Sequence, residues 1–102
     1  MSTNTVTKEK INLDIDLGKT YSLVMHNDDT TPFDFVIYVL VEVVFKTPTE
    51  AIQIAMYIHE NGKKKVLQGQ KEQLEQKRDK CIAFATEMGF SDFKVTVEED
   101  DK

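Results

Sequence analysis

Two Thr-Pro pairs constrain this chain more than any other feature. Thr31-Pro32-Phe33-Asp34 and Thr47-Pro48-Thr49-Glu50 each offer a threonine as N-cap, a proline at the first helical position and an acid at the third. The hydroxyl accepts an orphan backbone N–H, and the acid reaches back to the cap's own N–H. Proline costs nothing there, because the N–H it lacks would have no helical partner. The pattern therefore predicts two helices that start at Pro32 and Pro48.

The first, Phe33 to Phe45, is rich in Val and Ile, which by propensity alone would favour a strand. Its length, its cap and the helical spacing of Phe33, Val36, Ile37, Leu40, Val43 and Val44 favour a helix. The second runs from about Pro48 to Asn61 and stops at Gly62, a residue suited to a left-handed C-cap. A third helix is expected over Lys71–Met88, with Leu74, Cys81, Ala85 and Met88 on one stripe and Gly89 closing it.

Strands read by alternation. Tyr21, Leu23 and Met25 form one, and Phe93, Val95 and Val97 form the last. Residues 64–68 make a weaker candidate, and Ile11, Leu13, Ile15 and Leu17 alternate as a possible short strand over 11–17. The order β-α-α-β-α-β predicts an α+β domain, with three helices on a small, three-stranded antiparallel sheet. The expected organisation is an N-terminal extension over 1–19, one domain over 20–98 and an acidic tail over 99–102.

Totals narrow the function. A net charge of -5 argues against nucleic-acid binding, which needs a basic face. Lys63-Lys64-Lys65 is the one basic cluster, and three lysines beside a helix end are ordinarily solvated. A single cysteine excludes an internal disulfide and suits a reducing compartment. Neither a signal peptide nor an apolar stretch of ~20 residues is present, so a cytoplasmic protein is expected.

Catalysis finds little support. His26, His59, Asp28 and Asp29 could converge on a metal, but no HxxxH or CxxC spacing links them, so neither metal nor cofactor is expected. Cys81 with His59 lacks an orienting third group, and Cys81 falls on the apolar stripe of helix three. His59, near the end of helix two, also has a plain reading as a helix-terminal histidine favoured by the dipole. Asn27-Asp28-Asp29 is more suggestive. These residues make turns, yet Thr31 already offers the cap, so the surplus points to a binding loop.

The run Asn27-Asp28-Asp29-Thr30-Thr31-Pro32-Phe33-Asp34-Phe35-Val36 resembles the ClpS family of bacterial N-degron adaptors, with its N-D-D-x-T-P-x-[DE]-F-V signature. Ile58-His59-Glu60-Asn61-Gly62 resembles that family's V-H-x-x-G element, with one conservative change and no gap in the spacing between the two. The resemblance covers about residues 20–98. It implies a monomeric, non-enzymatic adaptor with a three-stranded antiparallel sheet and three helices. Such a protein holds substrate proteins by a first residue that is Leu, Phe, Tyr or Trp. It delivers them to the N-terminal domain of a ClpA-type or ClpC-type AAA+ unfoldase for degradation by a ClpP peptidase.

Carried over by position, the resemblance implies that Asn27, Asp28 and His59 hold the substrate's α-amino group. Thr31, Phe33, Val36, Ala55, Ile58 and Phe93 would line the side-chain pocket. Glu72 and Lys77 would meet the unfoldase, and the N-terminal extension would assist delivery. The family usually has Met where Phe33 stands, and Met or a similar large apolar residue where Ala55 stands, so bulk moves from one wall to the other. Its G-x-A-x-x-G-x-Y/F-T stretch is absent from Gly62–Gln70. The order of preference among the four first residues stays open. So do two other readings: a protein-interaction module, ribosome-associated or otherwise, on a similar scaffold, and a small hydrolase built on His59 and an acid.

Overall fold

The computed structural model describes residues 19–100. The element order is β1 (Tyr21–His26), α1 (Phe33–Glu42), α2 (Pro48–Asn61), β2 (Lys63–Gly69), α3 (Lys71–Met88) and β3 (Lys94–Glu99). This is the expected α+β arrangement of three helices and a three-stranded antiparallel sheet. The strand expected over 11–17 lies outside the described residues.

β1 is the central strand, antiparallel to both β2 and β3. Alternation sends Leu23 and Met25 toward the helices, opposite Val97 and Val95 of β3. The register with β2 slips between Leu23 and Val24, where Leu23 faces Leu67 and Val24 faces Lys65. Val66 is the extra residue of that bulge, and the local bend leaves it buried in the core. The core closes with Phe35, Val39 and Leu40 of α1, Ala51, Ala55 and Ile58 of α2, and Leu74, Cys81 and Ala85 of α3. Burial pushes the Cys81 thiol up to about 12, only partly offset by Lys77, so it stays a neutral core side chain at neutral pH. Met88, expected on the same stripe, is instead exposed at the last turn of α3.

The two Thr-Pro starts behave differently. Thr47 and Glu50 form the full capping box: Glu50 N–H donates to Thr47 Oγ1 (3.2 Å), and Thr47 N–H donates to Glu50 Oε1 (3.0 Å). Thr31 makes no such cap. Pro32 takes the N-cap position of α1, and the Thr31 hydroxyl donates to Asp28 Oδ2 at 2.8 Å. A carboxylate three residues upstream thus outcompetes the helix end for that hydroxyl. α1 also ends earlier than Phe45: its C-cap is Val43, and the chain reverses through Phe45 at φ 64°.

Glu99 and Asp100, in the expected acidic tail, are tied into the sheet. β3 runs to Glu99, and Asp100 N–H donates to the Thr20 carbonyl (2.9 Å). The Asp100 carboxylate accepts hydrogen bonds from Ser22 Oγ (2.8 Å), Thr20 Oγ1, Lys65 Nζ and Gln68 Nε2 (each 3.0 Å), tying all three strands together. Ser22, then Lys65, hold this carboxyl down at about 2 against the upward pull of desolvation, with further help from Thr20 and Gln68. An unfolded aspartate titrates near ~3.9, so on acidification the unfolded chain takes up this proton first. The contribution is therefore complete above about pH 4 and is lost as pH falls toward about 2. In urea melts, Asp100→Asn should be less stable than the parent at neutral pH, with the gap closing across that acid window. A gap that stays constant with pH would contradict the assignment.

Candidate functional site

Asn27 to Thr31 leave the end of β1 and lead into α1. Their path is set by one carboxylate. Asp28 Oδ1 accepts from Thr30 N–H (2.9 Å) and Thr31 N–H (2.8 Å), while Oδ2 accepts from the Thr31 hydroxyl (2.8 Å). The Thr30 hydroxyl lies within reach of both Asp28 Oδ1 (3.2 Å) and Asp92 Oδ2 (3.0 Å), and its single hydrogen links this loop to the one before β3. Burial pulls the Asp28 carboxyl up, but these hydrogen bonds outweigh it and leave it below the usual aspartate range. Asp28 is thus a fixed anion and a poor base.

The second half comes from the end of α2. Gly62 closes that helix at φ 97°, where a Cβ would be strained, and its N–H donates to the Ile58 carbonyl at 2.8 Å. Its own carbonyl accepts Asn27 N–H at 2.8 Å. That bond sets the strand-to-helix loop beside the last turn of α2, which carries Ile58 and His59.

Between the two lies a cavity of about 400 Å³. Its polar lining residues are His26, Asn27, Asp28, Asp29, Thr31 and His59, and its apolar ones are Phe33, Val36, Ala55 and Ile58. The expected residues Asn27, Asp28, His59, Thr31, Phe33, Val36, Ala55 and Ile58 therefore meet around one space. Phe93 does not line it. Its ring is buried edge-to-face against Phe35 (centroids 5.5 Å apart). Glu72 and Lys77 lie on α3, Glu72 exposed and Lys77 half-buried.

Two further residues line the space: His26, weighed in the sequence only as a metal ligand, and Asp29 of the expected binding loop. His26 Nε2 is 2.9 Å from Thr96 Oγ1, whose hydroxyl in turn donates to Glu98 Oε2 at 2.8 Å. Thr96 has one hydrogen, so the His26 ring must donate from Nε2 and keep Nδ1 as an acceptor when neutral. Burial, then Lys94, lowers the His26 pKa against the pull of Glu98, and Lys63 adds to the lowering. The signal for His26 was its place at the strand end next to Asn27, but which face it takes depends on the register with β3.

Chemically, the space combines hydrogen-bond acceptors with apolar side chains. The Thr31 hydroxyl is donated to Asp28, and the one cysteine lies in the α3 core. Among the described residues, no group of three or more His, Cys, Asp or Glu could hold a metal, and no helix is long and apolar enough to cross a membrane.

A family model described as ATP-dependent Clp protease adaptor protein ClpS matches residues 17–96. The chain belongs to the ClpS family. That family consists of adaptor proteins, not enzymes. The ClpS adapter of Acetivibrio thermocellus is 38% identical over 63 residues, 62% of this chain and 64% of that protein. The ClpS adapter of Clostridium acetobutylicum is 42% identical over 48 residues, 47% of this chain and 48% of that one. The matches thus span about half to two thirds of the relatives' length. Among solved structures, Agrobacterium tumefaciens ClpS2 bound to L-phenylalaninamide matches with a TM-score of 0.77 at 28% identity, covering 80% of this chain and 98% of that one.

In this ClpS-family chain the loop geometry rests on Asp28. In Asp28→Ala, hydrogen exchange at the Thr30 and Thr31 amides should speed up at least tenfold, while amides of the α2 interior stay protected. Unchanged protection at both threonines would show that the loop holds its path without the carboxylate.

Proposed function

We propose that this protein is an adaptor that captures proteins by a free N-terminal Leu, Phe, Tyr or Trp and delivers them to a Clp AAA+ unfoldase of the ClpA or ClpC type. The observation that carries the reading is the union, in one cavity, of hydrogen-bond acceptors and apolar side chains. A protein N-terminus has that same composition: an ammonium with three donors next to a side chain. Such ligands call for a concave apolar site with a few placed polar groups.

The Asn27 amide carbonyl, the Asp28 carboxylate and a neutral ring nitrogen of His59 serve as acceptors for the ammonium, directly or through a bridging water. Phe33, Val36, Ala55 and Ile58 pack the first side chain, with the Thr31 methyl beside them. Phe93 acts at one remove, by holding Phe35 in place. The relative ClpS2 supports the assignment, because L-phenylalaninamide combines a free α-amino group with a bulky aromatic side chain.

Magnitudes agree with a transient adaptor. Hydrogen bonds to a charged group contribute about 1.5–3 kcal/mol each. Burial of a Leu or Phe side chain contributes another ~1.5–3 kcal/mol. After association entropy the total corresponds to roughly 8 kcal/mol, near-micromolar affinity. Specificity follows from the ammonium: an internal Phe or an acetylated terminus lacks the charge that the acceptors require. Glu72 and Lys77 on α3 contact the unfoldase, away from the substrate cavity.

Fluorescence anisotropy with peptides that differ only at position one tests this. Peptides starting with Leu, Phe, Tyr or Trp should bind in the micromolar range, those starting with Ala should not, and acetylation should abolish binding. His59→Ala should weaken binding at least tenfold with an unchanged melting temperature. Equal affinity for free and acetylated peptides would overturn the proposal.

A further inference from the structure

Phe45 is an anomaly that the substrate cavity does not explain. It sits in the turn between α1 and α2 at φ 64°, the one non-glycine residue with positive φ among the described residues. A bulky side chain in that region is strained, whereas Gly or Asn would occupy it readily. Strain of this kind persists where function needs it. The ring gains no burial in return, since Phe45 is 74% exposed, the most exposed large hydrophobic residue described. By folding criteria, then, Phe45 is a poor choice twice over.

The ring is nevertheless held in place. Lys77 Nζ lies 4.4 Å from its centroid and donates to the Val43 carbonyl at 2.9 Å. The ammonium therefore braces the turn and the ring together, a cation–π contact that orients the aromatic face. Lys46 follows in sequence, and Lys80 lies one turn further along α3. In a chain of net charge -5, this is an exposed aromatic ring held against a cation, with two further lysines on the same two elements. Aromatic residues are enriched among the anchors of protein interfaces.

We infer that Phe45, braced by Lys77, is an anchor for the N-terminal domain of the Clp unfoldase, entering an apolar socket edged by carboxylates. The inference rests on the adaptor reading and extends the α3 surface assigned to the unfoldase by one residue from a different element. It also gives Lys77 a positioning role: part of its effect on docking comes through the ring. Charge complementarity selects the partner's chemistry, because a carboxylate at the socket's edge would meet Lys77 as the ring enters.

The test uses the full chain, titrated against immobilised ClpA-type hexamers and, in parallel, ClpC-type hexamers, each held with a non-hydrolysable ATP analogue. Phe45→Gly and Phe45→Asn should melt at or above the parent's temperature, because both residues suit the positive φ. They should bind the hexamer at least tenfold more weakly, while Phe45→Tyr stays within twofold of the parent. All three should bind a Phe-initiated peptide as the parent does. Hexamer binding by the Gly and Asn variants within twofold of the parent would overturn the inference. A parent that binds the peptide but neither hexamer would overturn it too, leaving amine recognition intact. A parent that binds a hexamer but no free N-terminus would sink the substrate reading, and the Gly and Asn variants would still decide this one.

Discussion

One hydrogen bond, from the Asn27 amide to the Gly62 carbonyl, brings together everything of interest in this molecule. It joins the exit of the central strand to the end of the second helix, two segments that have no reason to meet in an unfolded chain. Gly62 makes the bond possible, because its positive φ turns the carbonyl out of the helix. The helix that Gly62 closes starts in a complete capping box. A local signal at Thr47 thus fixes one end of α2, and the glycine that stops it aligns His59 with the acidic loop.

The acidic loop makes the complementary contribution. Asp28 spends its carboxylate on two backbone amides and the Thr31 hydroxyl, so its charge is fixed in direction and hard to protonate. A site built to receive an ammonium gains from a preset anion, since little ordering remains to be done on binding. The apolar lining includes residues that also belong to the core: Ala55 and Ile58 are on the buried stripe of α2. The cavity is an extension of the packing between α1, α2 and the sheet, so its shape is coupled to the stability of the fold.

Patterns within one helix or strand were legible in the sequence, and competition from groups outside the element was not. The Thr47 cap, the Gly62 stop and the bounds of α3 follow from short-range patterns, and so do the core strands β1 and β3. Thr31-Pro32 carries the same pattern as Thr47-Pro48, but an aspartate three residues upstream claims its hydroxyl and moves the cap to Pro32. The Asp100 hub could not be read, because its donors are spread over β1 and β2 and meet only in the folded sheet. The same holds for the Val66 bulge and the approach of His26 to the cavity, which depend on register. Phe93, expected on the wall from its position, packs edge-to-face against Phe35, a contact between separate segments that its sequence position does not show.

The most direct test of the account is a crystal structure of the full chain with a peptide that begins with phenylalanine. The account predicts the α-ammonium within hydrogen-bonding distance of Asn27 and His59, directly or through a water that also touches Asp28, with the benzyl group against Phe33, Val36, Ala55 and Ile58. A peptide seated elsewhere, or one whose amino group points to solvent while the side chain fills the cavity, would contradict it.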